Sequence, residues 1–194
     1  ETNITYQMTL AHLCKKRGIH ITIIGSGVIF NNDRFYGEEE EGNYDGNFYG
    51  KCRIFLENMA KNYENLLYIR VNYPISSQMS MKNLITKLLS YSSIQDNIIS
   101  LTYIDELIPY MIDMIDNGEV GICNLVNDGK ISLVDIVDNY SKKTGRIFTK
   151  TQIDSNSSKS NSLLSIGKLK KYNIKNVYEA VDDCITRYIE KNAN

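Results

Sequence analysis

Tryptophan is absent from the 194 residues, and there are only two prolines and two histidines. Two prolines, Pro74 and Pro109, are too few for a polyproline or collagen-like segment. His12 and His20 do not cluster with the four cysteines, Cys14, Cys52, Cys123 and Cys184, and no CxxC is present. A zinc or iron–sulfur site therefore lacks its usual ligand spacing, no metal is expected, and free thiols point to a reducing compartment, the cytoplasm. Charge of one sign is also missing. A net charge of −1 leaves no electrostatic footprint for nucleic acid or an anionic membrane, so neither is expected as a partner. No apolar run approaches the roughly 20 residues of a membrane span. Glu1-Thr2-Asn3 has neither the basic nor the apolar region of a signal peptide, and none is expected. The first residue is not Met, as in a piece of a longer product. No internal repeat is visible.

What is there reads as a globular α/β chain. Hydrophobic residues make up 42% and charged residues 23%, enough for one sizeable domain or two small lobes around one core. Ile4–Lys16 predicts a helix closed by Gly18, and His20–Ile24 a buried strand that ends in Gly25-Ser26-Gly27. Asn31–Asn47, with the acidic run Glu38–Glu41, is expected to be a long loop, either a lid or a solvated acidic segment. A helix over Phe48–Asn62 and a strand over Leu66–Val71 follow, giving a parallel α/β unit. Further helices are predicted over Met81–Tyr91, Tyr103–Asn117, Ser132–Thr144, Ser165–Lys171 and Val177–Glu190. Strands are predicted over Ile98–Leu101, Val120–Val126 and Ile147–Ile153, with Asp154–Ser162 irregular.

Chemistry enters where the first strand ends and the next helix begins. Tyr49 and Arg53 are four apart, so on a helix they share one face. A phenol held near a fixed cation is a natural proton donor to a carbonyl oxygen. Ser26, at a strand end between two glycines, could hydrogen-bond that same oxygen. Each residue has a plainer reading: Ser26 as a turn residue, Arg53 as a solvated helix charge, Tyr49 as a helix-start tyrosine. Their order and spacing favour general acid catalysis of carbonyl reduction with a nicotinamide as hydride source.

Several stretches carry a likeness to a known family. They are Glu1-Thr2-Asn3, Gly25-Ser26-Gly27-Val28-Ile29-Phe30, Phe48-Tyr49-Gly50-Lys51, Lys61-Asn62-Tyr63-Glu64-Asn65 and Arg70-Val71-Asn72-Tyr73-Pro74-Ile75-Ser76-Ser77. Asn83-Leu84-Ile85-Thr86-Lys87, Leu101 to Leu107 and Ser160-Asn161 continue it. The chain resembles the extended short-chain dehydrogenase/reductases, and within them the epimerase/reductases of nucleotide-rhamnose synthesis. The resemblance implies the C-terminal part of a Rossmann-like parallel sheet plus a small α/β substrate lobe. Residues 1–75 would be the C-terminal half of the cofactor domain, with about 100–118 packing back on it, and 76–194 mostly the substrate-binding lobe. It implies NADP(H) as cofactor and a UDP-linked 4-keto-6-deoxy-hexose as substrate, first inverted at C3 and C5 and then reduced at C4. It also implies a homodimer through the helix carrying Tyr49.

Carried over residue by residue, Ser26, Tyr49, Arg53 and Lys87 take the catalytic positions. Tyr49, Arg53, Tyr73, Pro74 and Ile75 lie against the cofactor, and Val28, Ser76, Asn83, Lys159 and Asn161 face the substrate. Asn3 matches the Asn before the central helix. Two positions and one missing motif depart from the pattern. Arg53 stands where the family has Lys, keeping the charge but not the ability to give up its proton. Val28 stands at the epimerase Cys and has no titratable atom, so epimerisation is expected to be impaired. No GxxGxxG lies between a first strand and a helix, so the phosphate cradle is missing and NADPH binding by this chain alone is expected to be weak. The alternatives are a reduced, non-catalytic relative that binds a sugar nucleotide or docks on an active homologue, and a dTDP-4-dehydrorhamnose-type reductase without epimerase function.

Overall fold

The computed structural model describes residues 4–31, 34–151 and 162–192. Helix α1 (Thr5–Lys16) buries Met8 and Ala11 and ends with Lys15 and Lys16 at its negative pole. Gly18, at φ 64°, reverses the chain into strand β1 (Ile21–Ser26). The polar segment that follows is not all loop: β2 (Phe35–Tyr36) lies within it. Helix α2 (Phe48–Ala60) starts at Asn47, whose side chain accepts the Gly50 amide at 2.8 Å. Strand β3 (Leu66–Val71) follows, then β4 (Pro74–Ile75) and α3 (Leu84–Ser90). The third helix starts later than its periodicity suggests because Asn83 caps it, accepting the Ile85 amide at 3.1 Å.

Next come β5 (Ser93–Gln95), β6 (Ile98–Ile99), β7 (Thr102–Tyr103) and helix α4 (Ile104–Asp116). They are followed by β8 (Gly121–Leu125), β9 (Ile131–Ser132) and α5 (Leu133–Thr144), which Ser132 caps and Gly145 ends. The chain continues through β10 (Thr149–Thr151), β11 (Leu163–Leu164), a 3-10 turn over Lys168–Lys171, and α6 (Val177–Lys191) with a capping box of Asn176 and Glu179. The predicted helix over Ser165–Lys171 is thus irregular chain over residues 165–167, just past β11, followed by a single tight turn.

The architecture is α/β. A parallel sheet in the order β1-β3-β8 forms its centre. On β3, Leu66 and Tyr68 face α1 and α2, while Leu67 and Ile69 face α4. A strand buried on both faces reads as a nearly continuous apolar run, which is why β3, broken only by Arg70, stands out in the sequence. Strand β8 belongs to this sheet through its pairing with β3. The second lobe has its own core, with Ile85, Leu88, Val137, Val181 and Ile185 from α3, α5 and α6. The pairing of β2 with β11 ties the lobes together, whereas β4 with β7, β5 with β10 and β6 with β9 place Ile75, Tyr103, Ile94, Ile99 and Ile131 in the second core. Asn72, buried at the end of β3, joins the lobes further, donating to Ser100 O at 2.9 Å and Ser162 O at 2.8 Å. Among the described residues no helix is long and apolar enough to cross a membrane.

Candidate catalytic site

The candidate site lies where β1 ends and α2 begins. Ser26 is the last residue of β1, mostly buried, and its hydroxyl accepts the Val28 amide at 3.1 Å. The chain beyond is folded back: Asn43 and Tyr44 both donate their amides to Ile29 O, at 2.9 and 3.0 Å. A Cβ on Gly50 would stand 2.7 Å from the Tyr44 ring, so Tyr44 packs directly on the first turn of α2. That turn presents Tyr49, 44% exposed and open to a ligand. One turn on, the Arg53 guanidinium sits 5.1 Å from the Tyr49 ring centroid, a cation–π distance. The helical spacing read from sequence therefore brings phenol and cation together.

Behind this pair lies a charge cluster. Arg70 on β3 is fully buried and grips Glu57 of α2 with two parallel bonds, Nε to Oε2 at 2.8 Å and Nη2 to Oε1 at 2.6 Å. Its other donors hold the carbonyls of Gly37 at 2.9 Å and Glu40 at 2.8 Å and the Asn124 side chain at 3.2 Å. The acidic run is not simply solvated. Glu38 accepts the Asn124 amide at 2.9 Å and the Lys168 amide at 3.0 Å. Glu40 accepts the Gly37 amide and pairs with Arg34 at 2.6 Å; the Arg34 bond, then the Gly37 amide, hold its carboxyl below the usual range. Only Glu39 and Glu41 face solvent. Tyr68 lies beneath, its hydroxyl buried without a hydrogen-bond partner among the described residues, and burial pushes that phenol well up.

Other expected site residues are placed less simply. Tyr73 holds an uncommon positive φ of 39° at the turn into β4. Pro74 is half-buried beside it, and Ile75 is fully buried in the second core, leaving no surface for a ligand. Ser76 donates to Asp105 at 3.0 Å and accepts the Gln78 amide. Asn83 caps α3 and donates to Ser76 O at 2.7 Å and Gln78 O at 2.8 Å, so its polar atoms serve the turn. Lys87 stands exposed in the last turn of α3, and among the described residues no hydrogen bond links its amine to Ser26 or Tyr49. Val28 is half-buried just past Ser26. Asn3, Lys159 and Asn161 lie outside the described residues. A cavity of about 380 Å³ opens in the second lobe between Tyr73, Leu84, Leu88, Tyr91, Gln95 and Asn97. Among the described residues no group of His, Cys, Asp and Glu could hold a metal ion.

Sequence reasoning missed Glu57, Arg70, Asn72 and Asn124. An arginine inside an otherwise apolar buried strand was the available signal, since such a cation needs a buried partner.

No family model matches the chain. It is 34% identical over 157 residues to a bifunctional dTDP-4-dehydrorhamnose 3,5-epimerase/dTDP-4-dehydrorhamnose reductase of Arabidopsis thaliana, a match covering 76% of this chain and 52% of that protein. The chain thus spans about half the length of that relative. The crystal structure of a UDP-rhamnose synthase from Acanthamoeba polyphaga mimivirus superposes with a TM-score of 0.89 at 26% identity, over 95% of this chain and 70% of that one. A dTDP-4-dehydrorhamnose reductase from Bacillus anthracis, solved in complex with NADP, superposes with a TM-score of 0.80 over 98% of this chain and 72% of that one. At 14% identity this last likeness speaks to fold alone.

Proposed function

This chain belongs to the extended short-chain dehydrogenase/reductase family, related to dTDP-4-dehydrorhamnose reductase and UDP-rhamnose synthase, and from that premise we propose that it carries the proton-donating and sugar-binding part of an NADPH-dependent nucleotide-sugar 4-ketoreductase. The proposed substrate is a UDP-linked 4-keto-6-deoxy-hexose, and the proposed setting is the cytoplasm. The observation that carries the reading is the Tyr49–Arg53 pair on the first turns of α2, with the Tyr49 ring exposed and the Arg53 guanidinium half-buried behind it, beside Tyr44, whose amide is bonded to Ile29 O just past β1.

In this reading Ser26 hydrogen-bonds the C4 carbonyl oxygen and Tyr49 delivers its proton there as the oxygen gains charge. Arg53 holds the phenol in place and adds positive potential, but it cannot relay a proton as the family lysine could. A bound nicotinamide would supply the hydride to C4. The residues present suit its reacting end, where Tyr73 and Pro74 lie beside the second lobe, and not its diphosphate. A phosphate cradle needs open space over its glycines, yet a Cβ on Gly25 would strike the Tyr68 ring at 2.2 Å and one on Gly27 would strike Leu164 at 2.6 Å. Both glycines serve packing. Ile75 acts by holding the turn that carries Tyr73 and Pro74. Lys87, and Lys159 and Asn161 beyond the described residues, are assigned to the sugar and its diphosphate. Ser76 and Asn83 shape the turn that borders them.

Epimerisation needs an acid–base pair across C3 and C5, and Val28 removes one member. The proposed reaction is therefore reduction without efficient inversion, closer to the dTDP-4-dehydrorhamnose-type reductases. A second reading, a non-catalytic relative docked on an active homologue, draws on the surface: β1 is an edge strand with Ile24 50% exposed, and α2 shows Phe48 at 83% and Phe55 at 55%. The same α2 surface would serve a homodimer. Incubating UDP-4-keto-6-deoxyglucose and NADPH with a hybrid in which this chain replaces the matching part of the mimivirus UDP-rhamnose synthase separates these readings. The proposal expects a C4-reduced sugar with C3 and C5 unchanged. UDP-rhamnose as product would overturn the role given to Val28, and no reduction at all would favour the docked relative.

A further inference from the structure

We infer that Arg70 and Glu57 are positioning residues that set the aim of Tyr49. The inference rests on the reading of Tyr49 as proton donor. Tyr49, Arg53 and Glu57 fall at successive i, i+4 positions, so they line one face of α2. Glu57 is held by the Arg70 fork at 2.8 and 2.6 Å. A bidentate carboxylate–guanidinium pair is planar and angular, so it fixes rotation of the helix about its axis as well as its distance from β3. Rotation of α2 is what decides where Tyr49 and Arg53 point.

The same guanidinium also fixes the approach to that helix. With Gly37 O, Glu40 O and Asn124 Oδ1 it engages all five of its N–H groups. Asn124 in turn donates to Tyr36 O at 3.1 Å and Ser165 O at 2.9 Å. Residues 36–40 are thereby pinned at both ends, and the chain continues from them to Tyr44, which packs on the first turn of α2. A buried ion pair is a poor device for stability alone, because an apolar pair of similar volume does as well or better. Orientation is what this one adds. Lysine at position 70 would keep the charge and lose the fork.

The test uses the full chain in three forms: wild type, Arg70→Lys, and the double variant Glu57→Leu with Arg70→Met, whose apolar pair keeps the core filled. Hydrogen–deuterium exchange is followed over residues 36–52, with α5 and α6 as internal controls, and the Tyr49 ring carbon is read by NMR in tyrosine-labelled protein, assigned with Tyr49→Phe. We expect exchange over 36–52 to rise about tenfold or more in both variants, the Tyr49 signal to move, and the controls to stay as in wild type. Unchanged exchange over 36–52 with an unmoved Tyr49 signal overturns the proposal. So does an equal rise in the control helices, which marks general destabilisation. A moved Tyr49 signal, together with no keto-sugar reduction by a hybrid in which this chain replaces the matching part of the mimivirus UDP-rhamnose synthase, upholds the positioning role and overturns the reductase reading alone.

Discussion

Tyr49 is one of fourteen tyrosines, and its spacing to Arg53, its place after Ser26 and the family-like stretch Phe48-Tyr49-Gly50-Lys51 set it apart in the sequence. The spacing was legible because a helix has a fixed period, and the structure puts the two groups 5.1 Å apart. Arg70 and Glu57 were not legible in the same way, since their partnership joins two elements and depends on how α2 lies on β3. Nor could the sequence tell that Asn83 spends its amide on a cap and a turn. Short polar side chains bond to nearby backbone as readily as to a ligand. At position 28 the account makes a prediction. Valine offers no acid or base, so the keto sugar in heavy water should take up little deuterium at C3 or C5. Val28→Cys, which introduces a thiol, should raise that exchange by about 100-fold, measured by NMR of the recovered sugar.

Among the elements, β1 and its closing turn show how glycine is used here. A strand that ends in Gly-Ser-Gly suggests a ligand loop, and the structure shows Tyr68 of the paired strand β3 crossing Gly25 instead. Gly25→Ala should therefore destabilise the chain by about 1–3 kcal/mol in chemical denaturation, from overpacking against the Tyr68 ring. The turn from β4 to α3 makes a prediction about pH. Asp105 on α4 accepts Ser76 Oγ at 3.0 Å and the Ser77 amide at 3.0 Å. Burial raises its pKa, but these bonds and Lys191 outweigh burial and leave it below the ordinary value. A carboxylate lowered on folding contributes stability above its unfolded pKa of about 4 and loses it as pH falls through the folded value. Thermal melts from about pH 6 to about pH 3 should show wild type losing more stability below about pH 4 than Asp105→Asn does.

For the whole molecule, the α/β class, the parallel central sheet and the long helices followed from apolar runs and periodicity. The two-residue strands that join the lobes did not, because pairs such as β2 with β11 depend on contacts more than a hundred residues apart. Among the described residues the sheet has three strands with β1 at its edge, and no glycine-lined cradle lies over β1 to hold a diphosphate. Calorimetric titration of this chain with NADPH should therefore show weak or no binding, and micromolar affinity would contradict that. Turnover tests the central claim, that Tyr49 is the proton donor of a nucleotide-sugar ketoreductase. A hybrid in which this chain replaces the matching part of the mimivirus UDP-rhamnose synthase would be supplied with UDP-4-keto-6-deoxyglucose and NADPH, and loss of NADPH absorbance followed. The account predicts NADPH consumption that falls by about 100-fold or more in Tyr49→Phe. Equal consumption with and without the Tyr49 hydroxyl would contradict it.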